Sequence, residues 1–372
     1  MIDIKEKKDC CGCSACIQKC PKQCISFKED YEGFLYPLVD KETCIDCGLC
    51  EKVCPVIHQG EEQTPLKVYA AKNNNEEIRR QSSSGGIFTL LAEKVIQEDG
   101  VAFGAIFNEN WQVIHTYKQT LDDLAVFRGS KYVQSQLNDT FKQVKSFLQS
   151  GRYVLFSGTP CQISGLTRFL GKEYDKLLKI EVVCHGVPSP KIWREYLQTL
   201  KLNNIGFISH KDKSTGWRNY SFSVKDTDGK LIYTEKACEN KYLMAFVRNL
   251  TLRPSCFSCP SKAGKSKADI TLADYWGIEK LIPQMDDNKG TSFICCNTSK
   301  GKELVEGVNI KLIKADYQKS VPYNSCIVNS TKEPIERQQF WNNYQKNGIH
   351  ALFLQKKRKQ NILKRIIKHI LQ

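Results

Sequence analysis

Eighteen cysteines occur in 372 residues, and ten of them fall within the first 60. Eight of those ten form two runs of identical spacing. Cys10, Cys13, Cys16 and Cys20 are followed by Pro21, and Cys44, Cys47, Cys50 and Cys54 by Pro55. Three thiolates spaced in this way wrap a tight loop around three irons of one cubane, and the fourth lies beyond a turn and reaches the other cubane. The expected pairing is Cys10, Cys13, Cys16 and Cys54 on one [4Fe–4S] cluster, and Cys44, Cys47, Cys50 and Cys20 on the second. Each proline removes a backbone donor and ends its loop. Zinc is the alternative, but zinc sites built from two CxxC pairs need neither a third cysteine nor a Cys-Pro in each half. Cys11 and Cys24 are left over and read as packing residues.

The two runs match the bacterial ferredoxin pattern, and the elements around them must hold the loops. A polar stretch from Gln59 to Pro65 reads as a linker, which gives an expected ferredoxin-type domain over 1–60. Beyond it, β-rich runs alternate with helical patterns. Strands are expected at Val101–Phe107, Gln112–Tyr117, Tyr153–Phe156, Leu178–Cys184 and 268–273, and helices at 87–98, 137–149, 189–201 and 239–250. Such alternation implies an α/β or α+β body whose sheet edges feed functional loops.

Composition narrows the setting. Hydrophobic residues make up 41% and charged residues 26%, enough for a buried core. The opening MIDIKEKKDCC lacks an apolar leader, and no run approaches the ~18 apolar residues of a membrane span, so a cytoplasmic protein with metal rather than disulfides is expected. The net charge of +15 offsets anionic cofactors in part and suits acidic partners such as a redox protein, an anionic substrate or an anionic membrane. Nucleic acid is not expected, because no zinc-finger or aromatic RNA-binding pattern accompanies the basic residues. The last residues, within 350–372, carry a helical apolar stripe between Lys and Arg. They read either as a basic amphipathic helix at a membrane surface or as a terminal helix docked on protein.

Five segments of the body carry a resemblance: Ser82-Ser-Ser-Gly-Gly86, Gly129-Ser-Lys-Tyr-Val-Gln134, Gly158-Thr-Pro-Cys-Gln162, Cys184-His-Gly186, and Cys256-Phe-Ser-Cys259 followed by Ala268–Gly277. In this order they resemble the family of coenzyme F420 hydrogenase/dehydrogenase beta subunits, which includes plant-type 7-hydroxymethyl chlorophyll a reductases. The resemblance implies a flavoprotein that passes electrons between iron–sulfur clusters and FAD, and from FAD to a second acceptor. It also implies a further cluster in the body, with Cys161, Cys184, Cys256 and Cys259 as the expected ligands. Physically, Cys161 and Cys184 each follow a buried strand, and parallel strands would bring both to one sheet edge. Cys256 and Cys259 form a CxxC beside Pro254 and Pro260. The alternatives are ordinary buried cysteines, a dithiol pair or half a zinc site.

FAD is expected with its diphosphate near Ser83, Ser84, Gly85 and Gly86, where small residues precede a helix. The ordinary alternative is a helix cap. Lys131 could neutralise the diphosphate or contact the ring, and Thr291 lies in a second small-residue loop. His185 and Lys131 are the catalytic candidates; each is otherwise a structural histidine and a solvated lysine. Asp269 and Asp274 flank a strand and either orient a ribityl chain, hold a basic partner or cap a turn.

The expected fold is therefore α+β: a bacterial ferredoxin-like dicluster module, an α/β flavin-binding body over 66–340, and a basic tail. The expected function is that of an oxidoreductase passing electrons between its clusters and FAD to reduce or oxidise a small organic substrate, with a redox partner such as ferredoxin. The alternative is a non-catalytic electron-transfer subunit. The deazaflavin site has no signature in this sequence, so the final acceptor does not follow from the resemblance.

Overall fold

A computed structural model describes residues 1–355. The expected amphipathic tail lies almost wholly outside the described residues. In the N-terminal module, β1 (Ile25–Glu29) and β2 (Leu35–Val39) form an antiparallel hairpin between the two cysteine runs. Each run leads into a short helix, Ala15–Lys19 and Leu49–Lys52. Ser14 and Gly48 precede these helices with φ of 58° and 69°, the left-handed turn that lets the cysteine loop double back.

The body is built on β3 (Lys67–Asn73), β4 (Val101–Phe107), β5 (Val113–Lys118), β6 (Val154–Gly158) and β7 (Leu177–Val182), then β11 (Ile270–Asp274), β12 (Ser292–Cys296) and β13 (Ile310–Lys314). Between them, β8 (Ile205–Asp212), β9 (Ser221–Asp226) and β10 (Leu231–Lys236) form a separate antiparallel sheet. The eight-stranded sheet runs β13-β3-β12-β11-β7-β6-β4-β5. Its centre, β4-β6-β7-β11, is parallel, and its flanks are antiparallel.

Parallel strands covered on both faces should be apolar on both faces. Val101, Phe103, Val154 and Phe156 face one core with the helices Thr140–Gln149 and Pro160–Leu170. Ala102 and Leu155 face the other, with the helix Ile87–Gln97. Cys11, Cys13, Ala15 and Val53 of the module belong to the first core. The module therefore shares a hydrophobic interior with the body.

Polar contacts reinforce that junction. Glu32 in the hairpin turn forms a buried ion pair with Arg337. Gln18 accepts hydrogen bonds from the N–H groups of Phe141 and Lys142, and Lys19 Nζ donates to the Phe169 carbonyl.

Candidate metal centres and cofactor loop

The chain first brings the thiols of each predicted set together. Cys16 lies within electrostatic reach of Cys10 and Cys54, and Cys13 within reach of Cys16 and Cys54. Burial and these neighbours push the Cys16 thiol up to about 12. A thiol buried beside others resists ionisation, because its thiolate would sit in a low dielectric near like charge, and bound iron would supply the positive charge that lets it ionise.

The second set surrounds a hollow lined by Cys20, Cys44, Cys47 and Cys50, with Pro21 at its edge. Cys24, read from sequence as packing, also lines it, and its Sγ lies 3.4 Å from that of Cys20.

The four body cysteines come from three separate elements. Thr159 and Gln162 cap the helix Pro160–Leu170, with Pro160 in its first turn, and Cys161 follows directly. Cys184 lies just past β7, whose pairing with β6 is parallel. Cys256 lies in the 3-10 turn Pro254–Ser258, and Cys259 caps it. Cys184 is within electrostatic reach of Cys256, Cys161 and Cys259. Burial first, then Cys161 and Cys259, push Cys256 up to about 12, while the Val187 N–H donates to its Sγ at 3.4 Å. Lys262 is buried beside this group and donates to the carbonyls of Cys184 and Cys326, the latter at 2.6 Å. Burial disfavours its charge, but the neighbouring cysteines, once ionised, more than offset this and raise its proton affinity.

The cofactor loop sits at the same edge of the sheet. Asn73, at the end of β3, donates its N–H to the Gly85 carbonyl, and Gly85 donates to Ser292 Oγ at the start of β12. A Cβ on Gly85 would lie 2.5 Å from the Ala71 carbonyl oxygen and 2.7 Å from the Ser292 nitrogen. Packing therefore requires this glycine, independently of any phosphate. Gly86 has φ of 78° and precedes the helix Ile87–Gln97. Ser83 Oγ lies 2.8 Å from Ser130 Oγ, and Ser84 Oγ donates to the Thr291 carbonyl.

Two predicted ligand side chains are turned into the protein. Lys131 Nζ donates to the carbonyls of Val126, Phe127 and Arg128 at 3.0–3.1 Å. Thr291 Oγ1 donates to the Met285 carbonyl. His185 is likewise engaged: Nε2 lies 2.6 Å from Asn249 Oδ1 and Nδ1 3.7 Å from Cys326 Sγ. Asp269 accepts from the Lys179 N–H and Thr298 Oγ1, a strand-bracing role.

Asp274 holds a basic partner, one of the alternatives its position offered, although nothing in the sequence pointed to Lys211 as that partner. Lys211 of β8 is buried and pairs with Asp274 at 2.6 Å, while Trp217 Nε1 donates to the other carboxylate oxygen at 2.9 Å. Trp217 stacks on Trp276 at 4.6 Å, with the Lys211 ammonium 5.1 Å from the Trp276 ring. Of the predicted cofactor residues, Ser83 places a hydroxyl beside that of Ser130 ahead of the Ile87 helix, where an anionic group could be met, whereas Lys211 is buried and committed to Asp274.

The body carries the sequence patterns described as the N-term and the C terminus of the coenzyme F420 hydrogenase/dehydrogenase beta subunit, over 68–142 and 151–318 respectively. The chain belongs to this family of beta subunits. Ahead of the family body, residues 9–57 match a 4Fe–4S dicluster domain and 39–83 a 4Fe–4S single cluster domain of Ferredoxin I. This member of the family is therefore an iron–sulfur protein.

Ferredoxin of Mycolicibacterium smegmatis is 42% identical over 55 residues, 15% of this chain and 41% of its own length. A 7Fe ferredoxin of Hydrogenibacillus schlegelii is 38% identical over 63 residues, 16% of this chain and 74% of its own. A subunit of the F(420)H(2) dehydrogenase of Methanosarcina mazei is 24% identical over 171 residues, 44% of this chain and 49% of its own length. The chain thus spans about two fifths of the first of these ferredoxins and about half of the dehydrogenase subunit. A chain of the F420-reducing [NiFe] hydrogenase complex from Methanosarcina barkeri is 16% identical, with a TM-score of 0.47 covering 83% of this chain and 90% of that one. Among the described residues no helix is long and apolar enough to cross a membrane.

Proposed function

We propose that this chain passes electrons between [4Fe–4S] clusters and FAD, and through FAD to or from a small organic molecule. On this reading residues 1–60 are the module that exchanges electrons with a redox partner such as ferredoxin, and 66–340 are the flavin-binding body. Bound flavin would exchange two electrons with an organic molecule and one at a time with clusters.

The observation that carries the reading is the course of one segment, 129–136. Its Ser130 touches Ser83 of the cofactor loop. Its Ser135 accepts from Gln162, beside Cys161, at 2.9 Å. Its Gln134 donates to the Cys11 carbonyl at 3.1 Å. A single stretch of backbone thus spans the cofactor loop, the body thiols and the module. The role of this segment is to fix three sites relative to one another, since transfer between centres depends on their separation and orientation. Lys131 serves it by tying the segment to the preceding turn, which makes that lysine a positioning residue. Ser83, Ser84, Ser130 and the first-turn N–H groups of the Ile87 helix would hold the diphosphate, and Trp276 would bound the ring.

The test uses the full chain purified anaerobically. Flavin absorbance, one FAD per chain after extraction, and turnover of candidate acceptors with dithionite or reduced ferredoxin are expected. Iron-replete protein without flavin would instead support an electron-transfer subunit whose chemistry lies on a partner. That second reading is favoured by the engagement of Lys131 and Thr291 within the protein.

A further inference from the structure

Arg253 is completely buried where the module meets the body. Its three hydrogen bonds go to neutral acceptors: the Cys10 carbonyl at 2.7 Å, Gln134 Oε1 at 3.0 Å and the Leu35 carbonyl at 2.9 Å. The Tyr36 ring lies 4.3 Å and the Phe34 ring 5.3 Å from the guanidinium. No member of this shell carries negative charge, and a buried cation without a counter-charge is costly.

The groups nearby able to become anionic are the Tyr36 phenol, whose proton burial holds in place, and cysteines of two different sets. Arg253 is within electrostatic reach of Cys10 and Cys11 on the module side and of Cys256 on the body side, whose N–H donates to the Arg253 carbonyl at 2.9 Å. Cys161 also feels it. The two sets are close in space. A Cβ on Gly165, one turn along the helix from Cys161, would lie 2.9 Å from Cys13 Cβ and 3.0 Å from Cys13 Sγ. Cys11 is buried in the same hydrophobic cluster as Cys13, against which Cys161 packs. Gly12 lies under the guanidinium: a Cβ there would be 2.9 Å from Arg253 Nη1.

We propose that Arg253 is the shared counter-charge of the first module cluster and the body cluster, so that one buried guanidinium sets both reduction potentials. The inference rests on the reading that Cys161, Cys184, Cys256 and Cys259 hold a cluster. Reduction adds one electron, and hence one negative charge, to a cluster without breaking a bond. A cation near the cluster favours that state and raises the potential, as net charge and hydrogen bonding do at such centres. One cation serving two adjacent clusters shifts both of their potentials in the same direction. Arg253 is a positioning residue in this account.

The test is an EPR-monitored dithionite titration of the full chain, with iron counted, for wild type, Arg253→Lys and Arg253→Met. In Arg253→Met two of three cluster transitions should move to lower potential, and the cluster on Cys20, Cys44, Cys47 and Cys50 should stay. Arg253→Lys should restore most of the shift. If Arg253→Met fails to hold iron, Arg253→Gln keeps donors toward the Cys10 and Leu35 carbonyls and should show the same selective shift. Unmoved transitions at full iron content would overturn the proposal, as would an equal shift of all three or loss of iron from the second module cluster too. Failure of the body-cluster reading is distinguishable: wild type would then hold about eight irons rather than twelve, and Arg253→Met would move one transition only.

Discussion

Cys13 and Cys47 occupy equivalent positions in the two runs, yet their surroundings differ. Cys13 is buried against the helix that carries Cys161, whereas Cys47 is exposed at the rim of the second hollow. Cys47→Ala should therefore remove about four irons and leave the fold's melting temperature nearly unchanged. Cys13→Ala should remove as many and also loosen the junction, read as a lower melting temperature. The dicluster module was legible because cubane ligation imposes a short, repeated cysteine spacing. Arg253, Lys262 and Lys211 were not, because each acts across elements far apart in sequence. Cys11 and Cys24, read as packing residues, are indeed buried in hydrophobic clusters, and Cys24 also lies against Cys20. Lys131 shows the opposite error, a residue in a recognised motif whose ammonium serves the backbone. Burial lowers its proton affinity to about 7. The unfolded chain, titrating near 10.5, therefore binds more protons than the folded one between those values, and this lysine makes stability rise with pH there. Lys131→Met should flatten the rise in melting temperature between pH 7 and 9 relative to wild type.

Elements were easier to read than side-chain roles. The parallel strands β4, β6 and β7 and the helix behind the cofactor loop lie within a few residues of expectation, because apolar runs and helical periodicity are local signals. The parallel pairing of β6 and β7 is what carries Cys161 and Cys184 to one edge. The sheet β8–β10 escaped notice; its strands mix exposed and buried residues with bulges, which blurs the period of two. That sheet delivers Lys211 to Asp274, so missing it hid the pair. At the cofactor loop, Gly85 must be small to fit between β3 and β12. Gly85→Ala should cost about 1–3 kcal/mol by overpacking, whether or not flavin is bound, measured by denaturant unfolding. Ser83→Ala and Ser130→Ala should keep stability near wild type and lower FAD retention. Unchanged retention in both would assign the loop to structure alone.

At the scale of the whole molecule, the sequence suggests a module on a linker, and the fold instead gives it a shared core with the body. Charge patterning could not reveal this, since Glu32 and Arg337 lie at opposite ends of the chain yet form one buried pair. Arg337→Met leaves the Glu32 carboxylate buried and should cost about 3–5 kcal/mol, read as faster iron release in denaturant, while Arg194, paired with Glu29 at the surface, should tolerate substitution. The same docking means that a body cluster would be counted properly only in the full chain, since cutting away residues 1–65 would strip Cys11, Cys13, Ala15 and Val53 from the shared core and expose it. The surplus of +15 is consistent with several anionic centres held within one compact interior.

The most direct test of the account is therefore the iron content of the anaerobically purified full chain beside that of its Cys256→Ala variant. Three clusters predict about twelve irons in the wild type and about eight in the variant. About eight in both would contradict the body cluster and leave the path between module and cofactor loop without its middle centre.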